Sequence, residues 1–148
     1  MSKAQCIYHI IISTRRREPT LDENRREDLF RFIWKFFQSH NCKLLRINGV
    51  TDHIHILVDI SVNISLADLM RDLKSQSSIW IKTTCIFPSF NGWSKEYAAF
   101  SCSQSSIDPI IEYIKSQPEH HKQIDFQQEL QKIFAEVGMT LHKNDLND

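Results

Sequence analysis

Two histidines stand two residues apart in the stretch Thr51-Asp52-His53-Ile54-His55-Ile56-Leu57. In an extended strand side chains alternate between faces, so His53 and His55 share one face and Ile54 and Ile56 the other. The isoleucines can enter a core while the imidazoles project together. Neutral imidazoles placed this way can both reach one divalent ion. Asp52 precedes the pair and can orient an imidazole through its other ring nitrogen. The bland alternative is two half-exposed, hydrogen-bonded histidines on a sheet surface. Two ligands do not complete a site, so a third must come from elsewhere in the chain.

The segment Ile110–Lys122, "IIEYIKSQPEHHK", offers one. Tyr113 and Gln117 are four apart and share a helical face. A glutamine carbonyl is a hard oxygen ligand suited to Mg²⁺ or Mn²⁺. A tyrosine hydroxyl beside an ion is a candidate nucleophile, although its ordinary pKa of about 10 demands help with ionisation. An ion that polarises the electrophile weakens that demand. The competing readings are core packing for Tyr113 and a helix end for Gln117, because Pro118 pushes the preceding residue away from helical dihedrals. His120 and His121 follow directly, as further ligands or, the reading the pattern favours, as a surface pair. Tyr8 and Tyr97 are rival nucleophiles, but both fall in strands and read as packing.

The surrounding elements must position these groups. Residues 6–14 are rich in β-branched and aromatic side chains and read as a buried strand. Residues 21–40 read as a helix, with Leu29, Phe32, Ile33, Phe36 and Phe37 at helical spacing and Thr20 as N-cap with Glu23 as its partner. Strands follow at 42–50, where Asn48-Gly49 signals a turn or bulge, and at 53–60. A second helix spans 65–82, capped by Ser65, and a loop containing Pro88 and Gly92 leads to a fourth strand at 97–102. Helices at 105–117 and 126–137 close the chain. The first six elements make a split βαβ pattern, the ferredoxin-like plait of the α+β class. An antiparallel sheet with helices on one face is expected, with the last helices as an addition, in one domain over residues 1–148.

Composition narrows the function. Lys and Arg equal Asp and Glu at 18 each, so bulk charge gives no hold on nucleic acid and any such surface has to be local. Arg15, Arg16 and Arg17 are consecutive, and Arg71 and Lys74 lie on the second helix; a solvated surface is the competing reading. No apolar run approaches the roughly 20 residues of a membrane span. The polar N-terminal residues look unlike a secretory leader. The four cysteines make no CxxC pair. Reduced thiols and a cytoplasmic location are therefore expected.

Taken together, "GVTDHIHILVDI", "LMRDLKSQSSIWIK" and "YAAFSCSQSSIDPIIEYIKSQPEHHKQIDFQQELQKIFAEVGM" resemble the single-tyrosine HUH transposases of the insertion-sequence-200/605 type and their REP-associated relatives. "YHIIISTRRREPTL" resembles the family's first strand and basic turn, so the likeness spans about Tyr8 to Met139. The resemblance implies that His53 and His55 are metal ligands, Gln117 the third ligand and Tyr113 the nucleophile. It implies a ferredoxin-like core, a Mg²⁺ or Mn²⁺ cofactor and a homodimer. In many members the tyrosine helix completes the partner's site. The implied substrate is single-stranded DNA with hairpin ends, cleaved and rejoined through a 5′-phosphotyrosine without ATP. Arg15, Arg16, Arg17, Arg71 and Lys74 would contact DNA, and Trp80 or Trp93 would stack on bases or pack in the core. The chain differs from the family in having Glu96-Tyr97-Ala98-Ala99 where glycine is frequent on both sides of the tyrosine, and in Pro118 directly after Gln117. The alternative to an enzyme is a hairpin-binding protein of the same fold that does not cleave. A water-activating hydrolase using the histidine pair would form no covalent adduct with DNA.

Overall fold

The computed structural model describes residues 3–142 and 144–148. Its centre is an antiparallel sheet of strands β1 (Ile7–Ser13), β2 (Lys43–Gly49), β3 (His53–Asp59) and β4 (Ala98–Ser101), in the order β2-β3-β1-β4. Helices α1 (Arg26–Ser39) and α2 (Leu66–Thr84) connect β1 to β2 and β3 to β4. This is the ferredoxin-like plait. The chain continues through α3 (Ile107–Lys115), α4 (Gln117–His120) and α5 (Phe126–Glu136).

The two sheet faces carry different cores. Ile10, Ile12, Ile54, Ile56 and Val58 point toward α1 and α2 and join Leu29, Ile33, Phe37, Leu69 and Leu73 in the larger one. Tyr8 and Tyr97 pack at its margin. Ile11 and Ala98 point the other way and meet Phe126, Leu130 and Phe134, while Ile7 and Leu57 meet Ile114. Helices therefore cover both faces, which corrects the expectation of a one-sided layer. The apolar stripes of the last helices need a partner, and the second face of the sheet is the surface they cover.

One local expectation also changes. Thr20 does not cap α1; its hydroxyl is buried without a partner, while Asp22 Oδ1 accepts the Asn24 N–H at 3.2 Å. Leu21, fully buried, donates its N–H to Thr51 O at 2.9 Å, so the chain is still held extended at that point. A short 3₁₀ turn, Glu23–Arg25, then precedes the helix. Ser65 does cap α2, accepting the Asp68 N–H at 3.1 Å. Trp93 is buried and donates its indole N–H to Ser77 Oγ at 2.9 Å, and Trp80 stacks on Phe32 with centroids 4.7 Å apart, so both indoles serve packing.

Gly49 closes the β2–β3 connection beside His53. A Cβ there would lie 2.5 Å from His53 O and 2.6 Å from Ile54 Cγ2, so only glycine lets the strands meet at this point. The Gly49 carbonyl accepts Arg26 Nη1 at 3.1 Å, which anchors the start of α1 to the same corner. Gly49→Ala should lower stability by about 2 kcal/mol through overpacking, read as a lower urea midpoint with an unchanged slope.

Candidate active site

β3 is an interior strand, flanked by β1 and β2, and both its histidines face the second side of the sheet. Neither has any solvent exposure, which corrects the half-exposed alternative. The cause is the cover that α3, α4 and α5 supply. His53 Nδ1 lies 2.7 Å from Asp52 Oδ1, and the His53 ring stacks on Phe126 at 3.8 Å between centroids. His55 Nδ1 lies 2.8 Å from Nε2 of His9, a residue of β1 that the sequence reading did not single out. Each imidazole thus has one ring nitrogen engaged and presents Nε2 to the interior.

Tyr113 and Gln117 arrive from above. The helix expected over 105–117 breaks at Ser116 (φ −92°, ψ 9°), so Tyr113 ends on α3 and Gln117 opens α4. Pro118 explains the break: it has no N–H to continue the ladder, and its ring crowds the preceding turn. Asn48 Nδ2 donates to Lys115 O at 3.0 Å and ties this break to the end of β2. Gln117 is nevertheless fully buried and reaches the histidines' neighbourhood.

The residue that joins these groups is Glu129, in the first turn of α5 and only 1% exposed. Its Oε1 lies 3.1 Å from His53 Nε2, 3.2 Å from His55 Nε2 and 2.9 Å from His121 Nε2. Its Oε2 accepts the Tyr113 hydroxyl and, at 2.7 Å, Gln117 Nε2. His121 is therefore part of the cluster, not a surface residue; His120 lies further out, 3.8 Å from Oε2. No spacing motif connects residue 129 to the histidines. The one available signal was a carboxylate on the apolar side of an amphipathic helix, between Phe126 and Leu130.

Electrostatics follow from burial. Burial, with help from the nearby His55, lowers His9 to about 3 against the opposing pull of Glu129. Burial also lowers His55 to about 4, Glu129 opposing. Burial works against the charged form of His53 too, but hydrogen bonds to Asp52 and Glu129 prevail and raise it. Burial, followed by the charge of Glu129, raises the Tyr113 phenol. Burial pushes the Glu129 carboxyl up, yet hydrogen bonds from His121, His53 and His55 hold it below the usual range.

His53, His55 and Glu129 bring one ligand atom each within 4.8 Å of one another, a spacing that fits a divalent ion. Gln117 Oε1 is buried without a hydrogen-bond partner, an orphaned oxygen beside the cluster. Imidazole nitrogen with amide and carboxylate oxygen is a donor set that suits Mn²⁺, and Mg²⁺ less well. The residues present therefore fit the cofactor.

The family described as "Transposase IS200 like" matches residues 2–117. The chain belongs to the IS200-like transposases. It is 26% identical over 126 residues to the transposases for insertion sequence element IS200 of Salmonella typhimurium strain LT2 and of Salmonella typhi, covering 79% of this chain and 80% of each relative. A crystal structure from Deinococcus radiodurans R1, provisionally described as a transposase, superposes with a TM-score of 0.62 at 21% identity, over 79% of this chain and 98% of that one. A REP-associated tyrosine transposase bound to a REP hairpin gives a TM-score of 0.62 at 14% identity, over 84% of this chain and 76% of that one. These structural likenesses concern the fold. Among the described residues, no helix is long and apolar enough to cross a membrane.

The basic residues divide. Arg15 and Arg16 are exposed. Arg71 is exposed but pairs with Asp68 and Asp72 at 3.1 and 3.3 Å. Lys74 donates to the carbonyls of Ser94 and Lys95 at 3.0 and 2.6 Å. Arg17 donates to Gln127 Oε1 and Asp145 O, both at 2.6 Å, and lies 5.0 Å from the Phe126 ring centroid. Arg17→Ala should therefore cost about 1–3 kcal/mol, whereas Arg16→Ala should stay within about 0.5 kcal/mol, both read by chemical denaturation. The two depressed imidazoles predict a pH dependence. Each is neutral in the folded state and protonates first in the unfolded chain. Stability is thus intact above about 6.5 and falls with pH toward the folded values of about 4 for His55 and about 3 for His9. Urea melts between pH 7 and 4 should show this loss, and His9→Gln should flatten it.

Proposed function

We propose that this transposase cleaves and rejoins single-stranded DNA through Tyr113, assisted by a divalent ion, Mg²⁺ or Mn²⁺, held by His53, His55 and Gln117. The observation that carries the reading is that buried His53, His55 and Gln117 and half-buried Tyr113 all meet at Glu129, with the Gln117 oxygen unpartnered. When bound, the ion would supply Lewis-acid stabilisation of charge on the phosphate undergoing attack. His9 and Asp52 fix the ring orientations of the two imidazoles. Gln117 stands on the far side of the break from Tyr113, so ligand and nucleophile approach from separate helices.

The Tyr113 oxygen forms a bond to phosphorus and releases its proton to solvent. The bond to the 3′-oxygen breaks, and that oxygen leaves with the bonding pair and is protonated from solvent. The products are a 5′-phosphotyrosine and a free 3′-OH. Attack by another 3′-OH reverses the chemistry, releases the tyrosine and joins strands with no external energy source. A cleft of about 540 Å³ reaches Tyr113 between Phe100, Pro109 and Ile133 and offers a path for a strand. The REP hairpin held by the structural neighbour supports a DNA hairpin as the recognised element. Arg15 and Arg16 are exposed and available to phosphates, and Arg71 would exchange its Asp68 and Asp72 partners for one. A homodimer would hold two DNA ends together for strand exchange.

The test is a denaturing gel of the protein with single-stranded oligonucleotides drawn from DNA flanking its gene, with Mn²⁺ present or chelated. A DNA-linked protein band that needs Mn²⁺ and vanishes in Tyr113→Phe is expected. Strand-specific binding with no such band under any divalent ion would instead make the protein a hairpin binder.

A further inference from the structure

The family match ends at residue 117, and Glu129 lies beyond it. We propose that Glu129 is an anionic ligand of the divalent ion, in addition to His53, His55 and Gln117, and that the bound ion thereby ties helix α5 to strand β3. The inference rests on the metal-dependent reading above.

Hydrogen accounting supports it. His53 Nδ1 faces the Asp52 carboxylate, which only accepts, so Nδ1 carries the proton. His53 Nε2 faces Glu129 Oε1 at 3.1 Å, and a divalent ion bound between them takes the place of the proton that they share. Oε1 has two lone pairs, and the His121 N–H at 2.9 Å uses one. The other is free to point between His53 and His55. Spacing agrees: adjacent ligands of an octahedral ion at about 2.1 Å stand about 3.0 Å apart. The observed separations are 3.1 and 3.2 Å. Charge agrees as well. Two imidazoles and an amide are neutral and would leave the full double charge of the ion in a water-excluded pocket, which a carboxylate halves.

The chain also builds the arm that delivers this oxygen. Asp125 and Gln128 form a reciprocal capping box, at 2.8 and 3.0 Å, that fixes the first turn of α5. Phe126 stacks on His53, and Leu130 and Phe134 pack against the sheet through Ile11 and Ala98. Gln117 and Tyr113 hold Oε2 and thereby turn Oε1 toward the imidazoles.

Two measurements test the proposal on the full chain: Mn²⁺ affinity by electron paramagnetic resonance, and amide hydrogen exchange over residues 126–136 with and without Mn²⁺. Wild-type protein should bind Mn²⁺ and show slower exchange in α5 when it is bound. Glu129→Gln should bind about 100-fold more weakly or worse and lose the effect of Mn²⁺ on exchange, with circular dichroism unchanged. Glu129→Asp keeps the charge on a shorter arm; should Glu129→Gln fail to fold, at least about 10-fold weaker binding by Glu129→Asp carries the test. Wild-type affinity in a folded Glu129→Gln, with binding lost in His53→Ala, would overturn the assignment while leaving the metal-dependent reading intact. No Mn²⁺ binding by the wild-type protein would overturn both.

Discussion

A carboxylate with almost no access to water stays charged only where donors or cations replace its hydration. Glu129 meets that condition through imidazoles of β3 and of the α4 end, the Tyr113 hydroxyl and the Gln117 amide. Each of those groups needs support of its own. Asp52 and His9 hold the rings, Asn48 holds the end of α3, and the Asp125 cap holds α5. The layer of helices over the second sheet face is organised around this one buried charge. Because helices shield the cluster, its electrostatic interactions are stronger than they would be at a surface.

The plait itself was legible in the sequence, because β-branched runs and helical apolar stripes have distinct periods. Strand bounds fell within two residues of those found for β1, β2 and β3. The capping of α2 by Ser65 was equally plain. The covering of the second face was not, since an amphipathic helix records that it must be buried and not against what. The Thr20 cap failed for a similar reason: the hydroxyl type was right, but the Leu21 pairing with Thr51 holds that segment extended ahead of the turn.

For the site, the histidine alternation and the tyrosine–glutamine spacing are local patterns, and they placed four side chains that the fold brings into one region. Glu129 and His9 reach the site through tertiary packing, which leaves no periodic trace. Charge was the poorest guide. Arg17 and Lys74 read as solvent-facing cations, yet backbone carbonyls and a ring occupy them. A sequence lists cations without naming their counterparts.

The alternation of His53, Ile54, His55 and Ile56 separates two kinds of heredity. The isoleucines belong to the larger core with α1 and α2, and the histidines to the chemistry beneath α5. Mutational drift at the odd positions can erase a reaction without touching the side chains that hold the plait together. A lineage of such proteins can therefore outlive its own catalysis, passing on a folded, DNA-shaped scaffold for selection to reuse.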